Sequence, residues 1–328
     1  MENTEIYNIL VSVVIPVKNG ADTLKSCLDG LFRQTIKEQM EVIVIDSGSK
    51  DGTLELLQQY PVKVHHLPPA EFNHGETRNL GVSLAAGEFV VMTVQDATPA
   101  TDDWLEMMLT HFADPLVAGV CGQQIVPHHP DKNPLQWFMP ASEAKPFSYH
   151  FPEGIGFKEL TGKEQHKFCN WDDVNAMYRK SAKINLPFRK LMFSEDTLWA
   201  KDALEAGYKI VYDYRARVYH YHHQNYNFYF KRSYIILYQN FKFYNYISYP
   251  KNPLVSVPRI IYRLLRMNQL SISEKLKWLR YNFTLVRAGW AAAMFFTWYA
   301  KVKGMDGVEV SQKRFVGLPP QGVQAKKN

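Results

Sequence analysis

A chain of 328 residues, 46% hydrophobic and rich in aromatics at 14%, is long enough for one large globular domain or a domain with a sizeable appendage. Its three cysteines, Cys27, Cys121 and Cys169, lie far apart, which fits a reducing compartment and excludes a disulfide scaffold or a cysteine zinc site. The net charge of +6 hides an asymmetry: residues 225–328 hold 17 Lys/Arg against 3 Asp/Glu, whereas residues 1–224 hold 21 against 29. A basic half suited to a polyanionic partner, lipid or nucleic acid, is thus joined to an acidic half. Residues 1–8 are polar and lead straight into a strand, so no secretory signal is read there.

In chain order, the apolar run 11–16 stops at Pro16 and is followed by a turn over 17–20. Leu24, Cys27, Leu28, Leu31 and Phe32 then recur at helical spacing. A second strand, 41–45, runs into Asp46, Ser47, Gly48 and Ser49, and Ser49 or Asp51 is expected to cap a helix reaching Tyr60. A short third strand follows at 62–65. Asn73 with Glu76 three residues on reads as a capping box for a helix that stops at Gly87. The run 88–94 is β-branched and aromatic and reads as a buried central strand; Pro99 forbids its continuation. Asp96 therefore sits at the carboxyl edge of a sheet, where open α/β sheets bind ligands. There it is either a turn former or a metal ligand facing a diphosphate. The repeating β-α spacing predicts an α/β fold with a mostly parallel central sheet flanked by helices. No G-x-G-x-x-G follows the first strand and no G-x-x-x-x-G-K-[ST] exists, so a nicotinamide dehydrogenase and a P-loop enzyme are poor readings.

Further on, 102–112 reads as a helix and 117–126 as a strand. Residues 127–167, rich in Pro, Gly and His, read as a long loop over the site. Residues 193–196 open a helix that Gly207 stops, and strand-like stretches at 209–214 and 216–219 lead into His220, Tyr221, His222 and His223. Carboxylates recur at the ends of elements: Asp46, Asp96, Glu195 and Asp196. With His220 and His222 they form a donor set that suits Mg²⁺ or Mn²⁺ better than the closed tetrahedral set of zinc. Each also has a plainer reading. Glu195 and Asp196 can complement a helix dipole, the histidines can be packing groups, and Arg78 can be a surface helix charge.

Six motifs stand in order: VVIPVKNG at 13–20, IDSGSKDGT at 45–53, FNHGETRN at 72–79, TVQDATP at 93–99, SED at 194–196 and HYH at 220–222. Together they resemble family 2 glycosyltransferases of the GT-A fold, with the closest likeness to the rhamnosyltransferase-like branch, over residues 10–225. The resemblance implies a nucleotide pocket lined by Pro16, Asn19, Asp46, Ser47, Arg78 and Gln95. It implies a divalent metal, Mg²⁺ or Mn²⁺, at Asp96, with His222 and His220 completing the site. Asp196 matches the general base, with Glu195 beside it in the catalytic pair, and Trp171, Asp172 and Asp173 fall in the region that faces the acceptor. The first carboxylate of the family's D-x-D is Val94 here, a variant similar to the rhamnosyltransferase-like members. The implied reaction is inverting transfer of a sugar, such as rhamnose or another deoxysugar, from a dTDP- or UDP-linked donor to a glycan or lipid-linked glycan. A sugar-phosphate nucleotidyltransferase would show a glycine-rich loop after strand one, which residues 16–20 are not; a non-catalytic glycan- or lipid-binding scaffold is the other alternative.

The catalytic domain is expected over 1–224 and a helical region over 225–328. The second carries basic amphipathic patterns at 259–266 and 276–281 and an apolar run at 288–300 too short to span a bilayer. These helices pack on the catalytic domain or a second subunit, or else bind an anionic membrane surface through 225–303. Acidity in the other half argues against nucleic acid. The expected location is the cytoplasm, peripheral at the inner face of the cell membrane.

Overall fold

The computed structural model describes residues 9–140 and 144–317. The chain divides into two units: residues 1–125 with 140–221, and residues 126–139 with 222–328. The expected division at 224/225 lies close to the end of the first unit at 221, but the segment 126–139 joins the helical part.

The first unit is built on one nine-stranded sheet. Four apolar runs form its parallel half: β1 (Val11–Val17), β2 (Met40–Asp46), β3 (Lys63–His66) and β4 (Phe89–Met92). Their connections are α1 (Leu24–Leu31), α2 (Thr53–Leu57) and α3 (His74–Leu84). The chain then adds β5 (Thr98–Pro99), α4 (Trp104–Leu109), β6 (Val117–Ile125), β7 (Phe147–His150), α5 (Gly162–Phe168), β8 (Ala176–Arg179), α6 (Lys180–Asn185), α7 (Glu195–Glu205) and β9 (Lys209–Tyr219). The strand order is β3-β2-β1-β4-β8-β6-β9-β5, with β7 also on β9. β8 runs antiparallel to both β4 and β6, so the sheet is mixed but parallel over β3-β2-β1-β4. A core of Val13, Ile15, Leu28, Val42, Val91 and Trp104, all at most 1% exposed, backs the sheet.

Several boundaries differ from expectation. α2 stops at Leu57 rather than Tyr60. The run 88–94 is a strand only to Met92, and Pro99, expected to end the ladder, pairs in edge strand β5 with Val218 of β9, a position where its missing N–H is tolerated. The stretch 127–167 contains β7 and α5 rather than loop alone, and 209–219 is one continuous strand. The capping box expected at α3 is only half formed: Asn73 Oδ1 accepts from Glu76 N at 3.1 Å, while the Glu76 carboxylate pairs with Lys190 at 2.8 Å.

The second unit comprises α8 (Tyr226–Tyr244), α9 (Pro253–Leu265) and α10 (Ile272–Ser311), with residues 126–139 laid on them. The apolar run 288–300 lies in α10. Its Ala288, Ala292, Ala293 and Phe296 are buried, and its rings pack against α8 through the tilted pair Phe230–Phe295 and the edge-to-face pair Tyr234–Phe296. Among the described residues no helix is long and apolar enough to cross a membrane.

Candidate active site

Three loops leave the carboxyl ends of β1, β2 and β4 and are stitched together by side chains. Gln95 Oε1 accepts from Lys18 N at 2.9 Å and its Nε2 donates to Lys18 O at 3.3 Å. Asn19, in the left-handed region at φ 50°, donates its N–H to Ser49 Oγ at 2.8 Å and accepts from Lys50 N at 2.9 Å. That conformation suits Asn better than most residues. Asp46, 2% exposed, accepts from Gly48 N and Ser49 N at 3.1 and 3.2 Å, and His66 Nδ1 stands 3.6 Å away. Ser47 Oγ donates to Val17 O at 3.1 Å. Pro16 lies beside them in β1. Of the six residues expected to line a nucleotide pocket, Pro16, Asn19, Asp46, Ser47 and Gln95 therefore share one edge of the sheet.

The carboxyl end of β9 faces the same edge. Asp96, His220 and His222 each offer one ligand atom, and these atoms lie within 4.8 Å of one another. The closeness of the two histidines is set locally by the two-residue step along the chain. His220 Nδ1 meets Gln124 Oε1 at 2.5 Å, which fixes the proton on that nitrogen and turns Nε2 toward Asp96 Oδ1, 3.5 Å away. A separation of 3.5 Å is too long for a hydrogen bond. It is close to the edge of a coordination octahedron with bonds of about 2.1 Å, roughly 3 Å. The donor set thus fits a divalent cation: one carboxylate oxygen and two imidazoles.

The other carboxylates gather around α7. Ser194, at φ 65°, precedes the helix and delivers Glu195 inward and Asp196 beside it. Strained non-glycine backbone of this kind persists where the surroundings over-determine it. Arg78 of α3, 5% exposed, donates Nη1 to Glu195 Oε1 at 2.6 Å and faces Asp173 Oδ2 with its Nε at 3.5 Å. Arg78 is therefore no surface helix charge. Asp173 also accepts from Tyr178 Oη, and burial pushes its carboxyl up to about 6 against the pull of Arg78. Asp196 Oδ1 accepts from Thr197 N at 2.7 Å and Oδ2 from Asp173 N at 3.4 Å. Burial first, and then the charges of Glu195, Asp173 and Asp172, hold Asp196 well above the usual carboxylate range. Asp172 accepts from Gln124 Nε2 and from Val174 N at 2.9 Å. Hydrogen bonds therefore run from His220 through Gln124 to Asp172, and the next residue, Asp173, reaches the α7 carboxylate Asp196 through its N–H.

Trp171 departs from expectation. It is 3% exposed, its Nε1 donates to Tyr178 Oη at 2.7 Å, and its ring packs on Trp199 and Tyr212. No ring face is left to meet an acceptor sugar; its role is to support β8 and α7. Two polar residues were missed. Gln124 orients His220, and Lys183 lies 1% exposed with its ammonium 3.3 Å from the Phe188 ring centroid and its Nζ donating to Leu186 O at 3.1 Å. Burial lowers that ammonium to about 7. Neither position carries a sequence signal: a glutamine near a strand end and a lysine in a polar six-residue helix both read as solvated.

The family model described as "Glycosyl transferase family 2" matches residues 12–185. Two curated relatives are each 33% identical to the chain: the O-antigen chain rhamnosyltransferase RfbN of Salmonella typhimurium, over 65% of this chain, and the O-antigen chain rhamnosyltransferase WbaN of Salmonella anatum, over 64%. The match spans 66% of the length of either relative, just under two thirds. Among solved structures, S. aureus TarS 1–349 is similar at a TM-score of 0.50 and 18% identity, covering 93% of this chain and 91% of that one. The mannosyltransferase PcManGT from Pyrobaculum calidifontis, in complex with GDP-Man and Mn²⁺, is similar at 0.52 and 16%, covering 93% and 79%. At such identities the structural likeness speaks for the fold.

Proposed function

The chain belongs to glycosyl transferase family 2 and has the GT-A fold, and from that premise we propose that it moves a sugar from a nucleotide-diphosphate donor to a hydroxyl of a glycan, free or lipid-linked, with inversion at the anomeric carbon. The observation that carries this reading is that the Asp96–His220–His222 cluster and the buried Asp196 stand on either side of Gln124 and the Asp172–Asp173 pair, to which His220 and Asp196 are hydrogen-bonded. The two relatives named as rhamnosyltransferases support a deoxysugar such as rhamnose, and the carrier in this proposal is dTDP or UDP.

The roles divide by chemistry. The loop residues Pro16, Asn19, Asp46, Ser47 and Gln95 bind the nucleoside. Asp96, His220 and His222 hold a divalent cation, with two imidazoles favouring Mn²⁺ over the all-oxygen preference of Mg²⁺. When bound, that cation offsets the charge developing on the leaving diphosphate, an effect worth several kcal/mol in such sites. Asp196 takes the proton of the acceptor hydroxyl as it attacks the anomeric carbon. A carboxylate held above its usual pKa is a stronger base once ionised, and general-base help contributes about 10²–10⁴-fold. A single displacement inverts the centre, so no second carboxylate acts as a covalent nucleophile. Arg78 pairs with Glu195 and faces Asp173, which sets one positive charge among the crowded carboxylates.

The test is thermal stabilisation by a panel of nucleoside diphosphates with and without Mn²⁺, on the wild type and Asp96→Ala. A ligand that binds only the native state raises Tm by mass action. A Mn²⁺-dependent shift for one base, lost in Asp96→Ala, is expected and names the donor nucleotide. No shift with any nucleotide would sink the reading; a shift with no turnover on any acceptor would leave a binding scaffold.

A further inference from the structure

Helix α9 turns two different faces outward and inward, and the apolar one that matters is outward. Its inner residues Val257, Ile260 and Leu264 follow the i, i+3, i+7 pattern, and Ile260 and Leu264 pack with Leu270 and Trp278. Leu254, Val255, Pro258, Ile261, Tyr262 and Leu265 fall on a separate stripe, spanning about 120° of the helix circumference at roughly 100° per residue. All six are exposed, Leu254 at 82%, Tyr262 at 58% and Leu265 at 64%. A helix that needed only its inner face to fold would carry polar residues there.

Arg259, Arg263 and Arg266 line one border of the stripe. Across the turn into α10, Ile272 and Leu276 are again exposed, at 78% and 61%, beside Lys275 and Lys277. Residues 251–281 hold seven Lys/Arg against one Asp/Glu. That single acid, Glu274, is used in the α10 capping box, accepting from Ser271 N at 2.8 Å and Ser271 Oγ at 2.7 Å. An outward apolar stripe fringed by unopposed cations matches one kind of surface, a hydrocarbon layer under anionic headgroups. A second copy of the chain would bring like charge to like charge. A nucleic acid would offer phosphates and bases to the arginines and leave Leu254 and Leu265 in water.

We propose that the outer face of α9, continued at the start of α10, docks the protein on an anionic lipid surface with Leu254, Ile261 and Leu265 in the acyl boundary and Arg259 and Arg266 at the headgroups. This deepens the reading of a lipid-linked acceptor and rests on it only for its purpose. It narrows the expected membrane surface: Tyr234, Ile235, Leu237 and Tyr238 of α8 and Ala288, Ala292, Ala293 and Phe296 of the run 288–300 are buried in internal packing, which leaves Met294 and Trp298 as the exposed large apolar residues of that run. The experiment uses the full chain and sedimentation with phosphatidylcholine vesicles, with and without phosphatidylglycerol, in the absence of donor and acceptor, so its outcome is separate from that of any transfer assay. Binding to the anionic vesicles alone is expected, weakening as salt rises. Leu254→Ser/Leu265→Ser should lower the partition by on the order of tenfold or more. Arg259→Gln/Arg266→Gln should lower it more than tenfold, at roughly fivefold per cation; Arg263 is left intact because its Nη2 donates to Leu135 O at 2.9 Å. Circular dichroism and melting should be unchanged in both variants, since all four side chains are exposed. Absence of binding at low salt overturns the proposal, as does binding indifferent to the serine changes. A wild-type dimer that the serine variant dissolves would assign the face to a second copy instead.

Discussion

Arg78 is a guanidinium buried in a protein interior among carboxylates, and removing one partner from such a group leaves the others uncompensated. Arg78→Met should cost about 3–5 kcal/mol of stability, read as a drop in the denaturant midpoint, and adding Glu195→Gln should recover part of it. A midpoint unchanged in Arg78→Met would mean the ion pair carries no stability. Asp196 makes a separate prediction. Only its ionised form accepts a proton, and its pKa is raised, so the transfer rate should climb with pH through that raised value and fall below it. Asp196→Asn should lose about 10²–10⁴-fold of the rate while nucleotide binding persists; a variant that keeps the wild-type pH profile removes Asp196 as the base. The sign for stability is opposite. Asp173 binds its proton more tightly folded, to about 6, than unfolded, at about 4. Its contribution is intact below about pH 4 and declines as pH rises toward 6, so Asp173→Asn should flatten the stability profile over that window. At this scale the motifs marked Asp46, Asp96 and Asp196 as carboxylates at the ends of elements, and that is where the structure has them. The sequence was silent for Gln124 and Lys183, whose importance comes from what other elements place around them.

The packing of α3 on β1 shows what holds the parallel half of the sheet together. Gly81 faces Val14 so closely that a Cβ on it would lie 2.3 Å from Val14 Cγ1. Gly81→Ala should therefore push the helix off the sheet at a cost of about 1–3 kcal/mol, despite alanine's better helix propensity. Combining it with Val14→Ala should restore much of the loss. A neutral or stabilised Gly81→Ala would show that α3 has slack against β1. The parallel half of the sheet was legible because each of its main strands is a continuous apolar run separated by helical spacing, the pattern of a sheet covered on both faces. β8 was not legible. It is four residues long, Ala176–Arg179, and its place between β4 and β6 is fixed by long-range antiparallel pairing rather than by any local pattern. α6 follows it directly and has one turn more than a loop would, so its polar sequence gave nothing to a periodicity argument.

At the scale of the whole molecule, the charge asymmetry told where the chain changes character, but not that residues 126–139 leave the first unit and return. That segment sits between two stretches of one sheet domain in sequence, and only its partners reveal where it belongs. Asn133 Nδ2 donates to Asn282 Oδ1 at 2.9 Å, and Asn282 Nδ2 donates back to Asn133 Oδ1 at 3.1 Å and to Trp278 O at 2.8 Å. Both side chains are buried, at 1% and 8% exposure, and each amide bonds the other and nearby backbone. Leu135 and Trp137 of the same segment pack on the cluster of Leu264, Leu270 and Trp278. The helical unit is thus completed by a strap threaded from the middle of the chain, and a protein cut at 224 would carry that strap with its partners gone. In the full chain, Asn282→Ala leaves the Asn133 amide buried without its reciprocal partner. A loss of about 1–3 kcal/mol is expected, seen in denaturant melts followed by tryptophan fluorescence, to which Trp137 and Trp278 of this unit contribute. Asn133→Leu together with Asn282→Leu replaces both polar groups by apolar ones of similar volume and should cost less than Asn282→Ala alone, because nothing polar is left stranded on either side chain. If the double change is the more damaging, the amide pair fixes the path of the strap by direction rather than by mere burial.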